Sequence, residues 1–296
     1  MPCFFPLIAW RAKAGHGLHP IVFKEALGYP NTKMQLPCGQ CIGCRLDHAR
    51  KWAVRCMHEA SLYPSNVMVT LTYDTDKLPK DGSLDKSHFV LFMKKLRKKY
   101  GAGIRFFHCG EYGDLLQRPH HHVVLFNHDF SDRYLWERKG DKEYFRSTEL
   151  EKLWTYGFSQ IVVLDVNNRY DVACYVARYI LKKVNGDESE EHYDGKQKEY
   201  VTMSRRPGIG KEWYEKFKSD LYNHDKCVVR DNFILKPPRY YDNLYMIENP
   251  EDMLAKKVDR KKKAMLRPDN SVERLTDRAR SAKVKQERYQ REFATF

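Results

Sequence analysis

Arg118-Pro119-His120-His121-His122-Val123-Val124-Leu125-Phe126 is the stretch on which the reading of this chain turns. Its second half is apolar and β-branched, so His120–Phe126 is predicted to be a strand. Side chains alternate on a strand, so His120 and His122 share one face. Two imidazoles on one face, one residue apart, can grip a single divalent metal. His121 points the other way, to the side of Val123 and Leu125. The plainer reading is a histidine-rich surface strand, or core histidines with ordinary hydrogen bonds. A His-x-His that opens an apolar strand after a turn favours the metal.

Just upstream stands Gly110-Glu111-Tyr112-Gly113. Ile104–Cys109 is predicted to be a strand that turns at Gly110–Gly113. The loop from Asp114 to Pro119 makes a hairpin with the histidine strand plausible. Glu111 then lies close to His120 and adds an oxygen ligand to two nitrogens. That mixed set suits a divalent ion with open positions for phosphate oxygens, Mg²⁺ or Mn²⁺. The alternative is that Glu111 is only a turn residue.

Further out, Asn66–Tyr73 is β-branched and bounded by Pro64 and Asp74, as a buried strand would be. Leu84–Tyr100 has Phe89, Phe92, Met93 and Leu96 at helical spacing, with lysines between them. A helix is expected from Leu46 to Leu62, a short one at Thr148–Trp154, a strand at Phe158–Val166, and helices at Arg169–Lys183 and Lys211–Tyr222. Residues 1–37 and 186–200 are expected to be irregular, and 127–147 gives no clear signal. The order of elements predicts an α+β fold with a mostly antiparallel sheet flanked by helices. A Cys-rich N-terminal segment (1–62), a core (63–225) and a C-terminal extension with a basic, partly helical tail (226–296) are the expected divisions.

In the predicted helix Arg169–Lys183, Tyr175 and Tyr179 are four residues apart, about one helical turn. They share a face, and Lys182 lies one turn beyond. A phenol with a pKa near 10 is a poor nucleophile until a cation or a polarised phosphate helps it. The plainer reading is an aromatic stripe packed on the sheet. The histidine pair upstream shifts the balance towards chemistry.

Cys38, Cys41 and Cys44 have the close spacing of structural zinc ligands. A tetrahedral site needs a fourth, and Cys56, Cys3 and His48 are the candidates, with Cys56 grouped with the three as a Zn²⁺ set. Reduced buried thiols are the alternative.

The chain has 296 residues, a formal net charge of +14 and 13% aromatic residues. A chain this basic is expected to meet a polyanion, and bases stack on aromatic faces. Arg178, Lys183, Arg205 and Arg206 are candidate DNA contacts. The Gly-rich turn after Arg206 is a loop whose backbone could approach DNA. No stretch is apolar for the roughly 20 residues a membrane-spanning helix needs. The start lacks the pattern of a signal peptide, so a reducing cytoplasm is the expected setting. The nucleotide-binding pattern Gly-x-x-x-x-Gly-Lys-[Ser/Thr] is absent, so unwinding is expected to fall to another protein.

Together, CGQCIGCR, VMVTLTYD, GEYG, RPHHHVVLF, YVARYILKK and MSRRPGIG occur in the order found in one family. Over about residues 38–210 the chain resembles the HUH-superfamily rolling-circle replication initiators, and among them those of the microviruses, single-stranded DNA phages of the gokushovirus type. The resemblance implies an HUH/Rep-type, RRM-like core. It implies metal ligation by His120 and His122, with Glu111 as acidic third ligand, and Tyr175 and Tyr179 as paired nucleophiles helped by Lys182. The strand Val67–Asp74 matches the first Rep motif. One departure is His121, where the family usually has a bulky apolar residue. The implied activity is nicking of the viral replicative-form origin by tyrosine transesterification, followed by rejoining of circular single-stranded DNA. A host helicase and a host DNA polymerase are the implied partners, in the cytoplasm of the bacterial host. The competing readings are a non-catalytic zinc-containing nucleic-acid-binding protein and a metal-dependent hydrolytic nuclease.

Overall fold

A computed structural model describes residues 3–14, 20–79, 81–113, 116–140, 142–164, 188–230, 233–266 and 270–294. Its contacts divide the chain into two compact units, Met1–His48 with Val258–Phe296, and Ala49–Lys257.

The N-terminal segment, expected to be irregular, holds a small antiparallel sheet. Strand β1 (Leu7–Arg11) lies between β2 (Ile21–Val22) and β3 (Met34–Leu36). These strands are short and half-exposed, which is why no burial pattern betrays them. Helix α1 (Ile42–Ala60) follows and starts four residues before the predicted Leu46.

The larger unit is built on a sheet that has, among the described residues, seven strands. They are β4 (Asn66–Thr72), β5 (Arg105–Tyr112), β6 (Pro119–Phe126), β7 (Tyr134–Lys139), β8 (Lys142–Arg146), β9 (Ser159–Val163) and β10 (Tyr200–Met203). The order is β10-β5-β6-β4-β9-β8-β7, and every neighbouring pair is antiparallel. The α+β class with a large antiparallel sheet is thus as the sequence predicts.

Both faces of the central strands are covered, and period-two alternation divides their side chains between two cores. On one face Val67, Val69, Leu71 and Tyr73 join Val123 and Leu125. They pack against Phe89, Phe92, Met93 and Leu96 of α2 (Lys86–Tyr100) and Leu150 and Leu153 of α3 (Thr148–Leu153). On the other, Met68, Phe107, Cys109, Val124 and Phe126 meet Ala49, Cys56, Met57 and Ala60 of α1. Each large side chain so buried contributes about 1.5–3 kcal/mol. Helix α2 is stopped locally at both ends. The Asp85 carboxylate accepts from Ser87 N at its start, and Gly101 with φ +95° ends it.

Two stretches for which the sequence predicts no element contain strands and a helix. The polar stretch 134–146 forms the β7–β8 hairpin at one edge of the sheet, mostly exposed. The charged stretch 186–200 holds helix α4 (Glu188–Tyr193) and leads into β10, the opposite edge. Helix α5 (Lys211–Asn223), a small ribbon of β11 (Cys227–Arg230) with β12 (Phe233–Leu235), and α6 (Arg239–Glu248) complete a third core around Tyr214, Tyr222 and Tyr241. The C-terminal stretch forms α7 (Pro250–Met265) and α8 (Val272–Ala294). The predicted helix Arg169–Lys183 lies outside the described residues, and with it Tyr175, Arg178, Tyr179, Lys182 and Lys183.

Candidate metal centre on the sheet

Strands β5 and β6 pair directly, with Glu111 opposite His120 and Cys109 opposite His122. On the other side of β6, Thr72 stands opposite His120 and Thr70 opposite His122. Register therefore sets Glu111, His120, His122, Thr70 and Thr72 on one face. Glu111 Oε1 is 3.0 Å from His120 Nε2 and 3.3 Å from His122 Nε2. One donor atom from each of the three lies within 4.8 Å of the others.

The ring nitrogens pointing away from Glu111 are also held. His120 Nδ1 lies 3.1 Å from the Arg118 carbonyl oxygen. A carbonyl only accepts, so Nδ1–H donates to it, and Nε2 is directed at Glu111. His122 Nδ1 lies 3.0 Å from Thr70 Oγ1, which orients the second ring. Such outer contacts fix the ring and tautomer of a metal-binding histidine. Glu111 is 4% exposed. Burial alone would raise its pKa, but hydrogen bonds from His120 and His122 and their charge hold it far below the usual carboxylate range. It is thus an anion in contact with two imidazoles. This donor set fits a divalent cation by its chemistry, its convergence and the outward anchoring of both rings.

His121 is on the opposite face, as alternation requires, and is fully buried. Its Nε2 is 3.0 Å from Tyr73 Oη, and its Nδ1 is 3.2 Å from His108 Nε2. The chain continues from His108 Nδ1 to Thr202 Oγ1 at 2.8 Å, and from Tyr73 Oη to His88 Nδ1 at 3.0 Å. Burial pulls the pKa of His121 down to about 3, helped by the charge of His120, and pulls that of His108 well below the ordinary value. Both are neutral hydrogen-bonding members of the core.

The same pairing extends the His120 row outward. Phe158 O accepts from Thr72 N at 2.9 Å, so Phe158 continues the line Glu111–His120–Thr72 one strand further. Its approach to β4 depends on Gly157, whose φ is +159°. A Cβ there would lie 2.4 Å from Asp74 N. Phe158 is 60% and Trp136 57% exposed. The Arg146 guanidinium stacks over both rings, 4.7 Å from that of Trp136 and 5.8 Å from that of Phe158. Glu151 Oε1 fixes this guanidinium by accepting from Arg146 Nε at 2.9 Å. The sequence places Thr70 and Thr72 in the first Rep motif but gives no sign that they join the histidine face, nor of this aromatic–arginine stack. Only strand register reveals them.

Arg205 and Arg206 are exposed and stand away from this centre. They follow β10 where Ser204 N bonds to Phe106 O, at the other end of β5 from Glu111. Five residues of strand separate the two ends, about 17 Å. The Gly-rich turn after them is pinned to α1 and β5. Glu59, buried in an ion pair with Arg105, accepts from Gly210 N, Arg55 donates twice to Ile209 O, and Arg105 donates to Pro207 O.

The cysteine expectation needs one correction. Cys3 joins Cys38, Cys41 and Cys44 in a group whose sulfurs lie within 4.8 Å of one another. Cys56 does not. It lies twelve residues beyond Cys44 on the same helix, about 18 Å along its axis, and is buried in the core between α1 and the sheet. Among the described residues no helix is long and apolar enough to cross a membrane.

The family model for replication-associated protein ORF2/G2P matches residues 66–184, the stretch that contains the histidine–glutamate centre. The chain is 32% identical over 254 residues to the replication-associated protein VP4 of Bdellovibrio phage phiMH2K, covering 81% of this chain and 78% of that one. It is 31% identical over 221 residues to the replication-associated protein ORF2 of Spiroplasma virus 4, covering 70% and 66% of the two chains. It is 30% identical over 230 residues to the replication-associated protein ORF4 of Chlamydia phage 1, covering 73% and 56%. No solved structure matches the chain. By sequence similarity along most of its length, the chain belongs to the replication-associated protein family of microvirus-type single-stranded DNA phages.

Proposed function

We propose that this protein nicks and rejoins the origin strand of its phage genome, with Tyr175 and Tyr179 as nucleophiles beside a divalent cation held by His120, His122 and Glu111. The observation that carries the reading is the convergence of those three donors on one sheet face, in a chain of a phage replication family. The cation is Mg²⁺ or Mn²⁺, and when bound it supplies polarisation of the scissile phosphate.

Phosphodiester exchange follows from the tyrosines. As the phenol oxygen bonds to phosphorus it gives up its proton, the bond from phosphorus to the 3′ oxygen breaks, and that oxygen takes up a proton. The products are a 5′-phosphotyrosine and a free 3′ hydroxyl for a host polymerase to extend. In joining, a 3′ hydroxyl attacks the phosphotyrosine and the phenol leaves. Because one phosphate ester replaces another, no hydrolysis is needed. Spacing of one helical turn, expected from the sequence, lets the two phenols serve one phosphate in alternation. Lys182 offsets the developing charge. The partners are the single-stranded origin of the replicative form and a host helicase, in the bacterial cytoplasm.

Two observations support a single strand as substrate. The charge of +14 favours a polyanion. The exposed Phe158–Arg146–Trp136 stack lies on the row of His120, two strand spacings away from it at Phe158, about 10 Å. Unpaired bases can stack there within a few nucleotides of the cut.

The test uses overlapping end-labelled oligonucleotides that tile the phage genome, incubated with protein and Mn²⁺ and run on a denaturing gel. A covalent protein–DNA band should form on one tile. It should vanish in the Tyr175→Phe, Tyr179→Phe double variant, and in His120→Ala and Glu111→Gln, which should retain DNA binding. Cleavage without a covalent band would point to water as nucleophile. Binding without cleavage on every tile would falsify the reading.

A further inference from the structure

The second group of metal-ligand side chains has no part in that reaction. Its assembly follows from the small sheet. Strands β1 and β3 pair with Leu7 opposite Leu36. Cys3, four residues before Leu7, and Cys38, two after Leu36, are therefore delivered to the same end of that pair. Cys41 immediately precedes α1, and Cys44 lies in its first turn.

The sulfurs form a compact set. Cys38 Sγ is 4.0 Å from Cys44 Sγ, and Cys41 Sγ is 4.0 Å from Cys3 Sγ. Two disulfides would need separations of about 2.05 Å. A tetrahedral zinc with bonds of about 2.3 Å places its four sulfurs about 3.8 Å apart. These two separations match the second case within a few tenths of an ångström, and all four sulfurs lie within 4.8 Å of one another. It is also too tight for a multi-iron cluster, whose own sulfides hold the cysteines further apart.

Backbone donors are directed at the sulfurs. Phe4 N donates to Cys41 Sγ at 3.4 Å, Cys38 N to Cys3 Sγ at 3.2 Å, and Cys41 N to Cys38 Sγ at 3.3 Å. Four thiolates around Zn²⁺ leave an excess negative charge. N–H donors and the positive N-terminal end of α1 offset it. Neutral thiols packed for their apolar character would not need this arrangement.

We propose that Cys3, Cys38, Cys41 and Cys44 form a structural zinc site, closed on all four positions, that fastens the segment before β1 to the start of α1. Because no position is left open, the ion does not meet substrate. Its contribution is to close the 35-residue span between Cys3 and Cys38, which among the described residues contains only ten residues of strand, in β1, β2 and β3. The first turn of α1 depends on the same ligands.

The experiment is metal analysis of full-length protein purified without chelators, in a background of His120→Ala with His122→Ala so that the sheet centre does not contribute. One equivalent of zinc per chain is expected. Exchange with Co²⁺ should give the thiolate charge-transfer band and the intense visible bands of tetrahedral Co²⁺ with four sulfurs. Cys3→Ser and Cys44→Ser should each lose the zinc and those bands, and Cys56→Ser should keep both. The Co²⁺ spectrum of the chain with all its cysteines decides the matter even if a serine variant fails to fold. Less than a tenth of an equivalent of zinc, iron in its place, a Co²⁺ spectrum without thiolate bands, unchanged zinc in Cys3→Ser, or two disulfides found by mass spectrometry would overturn the assignment.

Discussion

Three consecutive histidines occupy two environments. His120 and His122 face Glu111, with side chains 16% and 13% exposed, whereas His121 is sealed in the core against Tyr73 and His108. The sealed pair, His108 and His121, has a consequence for acid stability. In the unfolded chain both titrate near 6.5. In the folded chain burial depresses both. A depressed histidine contributes stability that is complete above pH about 6.5 and is lost as the pH falls, because only the unfolded state then binds the proton. The urea midpoint should therefore fall between pH 6.5 and pH 5, with each such group adding up to about 1.4 kcal/mol per pH unit. His108→Gln keeps a polar group beside Thr202 and His121 and should remove one group's share of the slope. The difference between the two proteins cancels every contribution they have in common. Equal slopes would mean that His108 takes up a proton without unfolding.

At the scale of elements, the strands that bury both faces were legible from sequence, and the edges were not. Asn66–Thr72, Arg105–Tyr112 and Pro119–Phe126 carry apolar and β-branched runs because α1 and α2 cover them on both sides. Strands β7 and β8 are polar and exposed and have no such pattern, and β10 is four residues long between charged stretches. The histidine pair and Glu111 were legible because a period of two and one hairpin suffice to bring them together. Cys3 was not, because its partner in space is set by the pairing of β1 with β3. Cys56 was attractive only by nearness in sequence, and a helix converts that nearness into distance. The same edge that escaped the sequence carries the Phe158–Arg146–Trp136 stack. Phe158→Ala and Trp136→Ala should each weaken binding of single-stranded DNA by about 1–3 kcal/mol. The salt dependence should stay as it was, since no phosphate contact is removed. Fluorescence anisotropy at several salt concentrations measures both. Unchanged affinity in both variants would remove this surface from the DNA path.

For the whole molecule the dominant quantity is charge. The chain carries 53 Lys and Arg against 39 Asp and Glu. The segment Val258–Phe296 alone has 12 against 6. Binding that neutralises phosphates releases counterions, so affinity falls as a power of salt concentration. If the protein engages six or more phosphates, affinity should drop on the order of 10³-fold between 50 and 200 mM salt. A nearly flat dependence would assign recognition to stacking and base contacts instead. On the proposed reaction, covalent bond formation at Tyr175 or Tyr179 should be far less sensitive once the strand is bound.

The pairing of Glu111 with His120 and of Thr70 with His122 also governs which changes of length the gene can absorb. Between Gly113 and Arg118 a codon gained or lost leaves the face of every strand residue unchanged, whereas Arg118 itself holds the His120 ring through its carbonyl. Within Pro119–His122 the arithmetic is different. Deleting His121 makes the two remaining histidines neighbours, and neighbours on a strand look in opposite directions. A library of single-codon insertions and deletions should therefore divide sharply at Pro119, with tolerated lengths in the connection and none in the four residues that follow it.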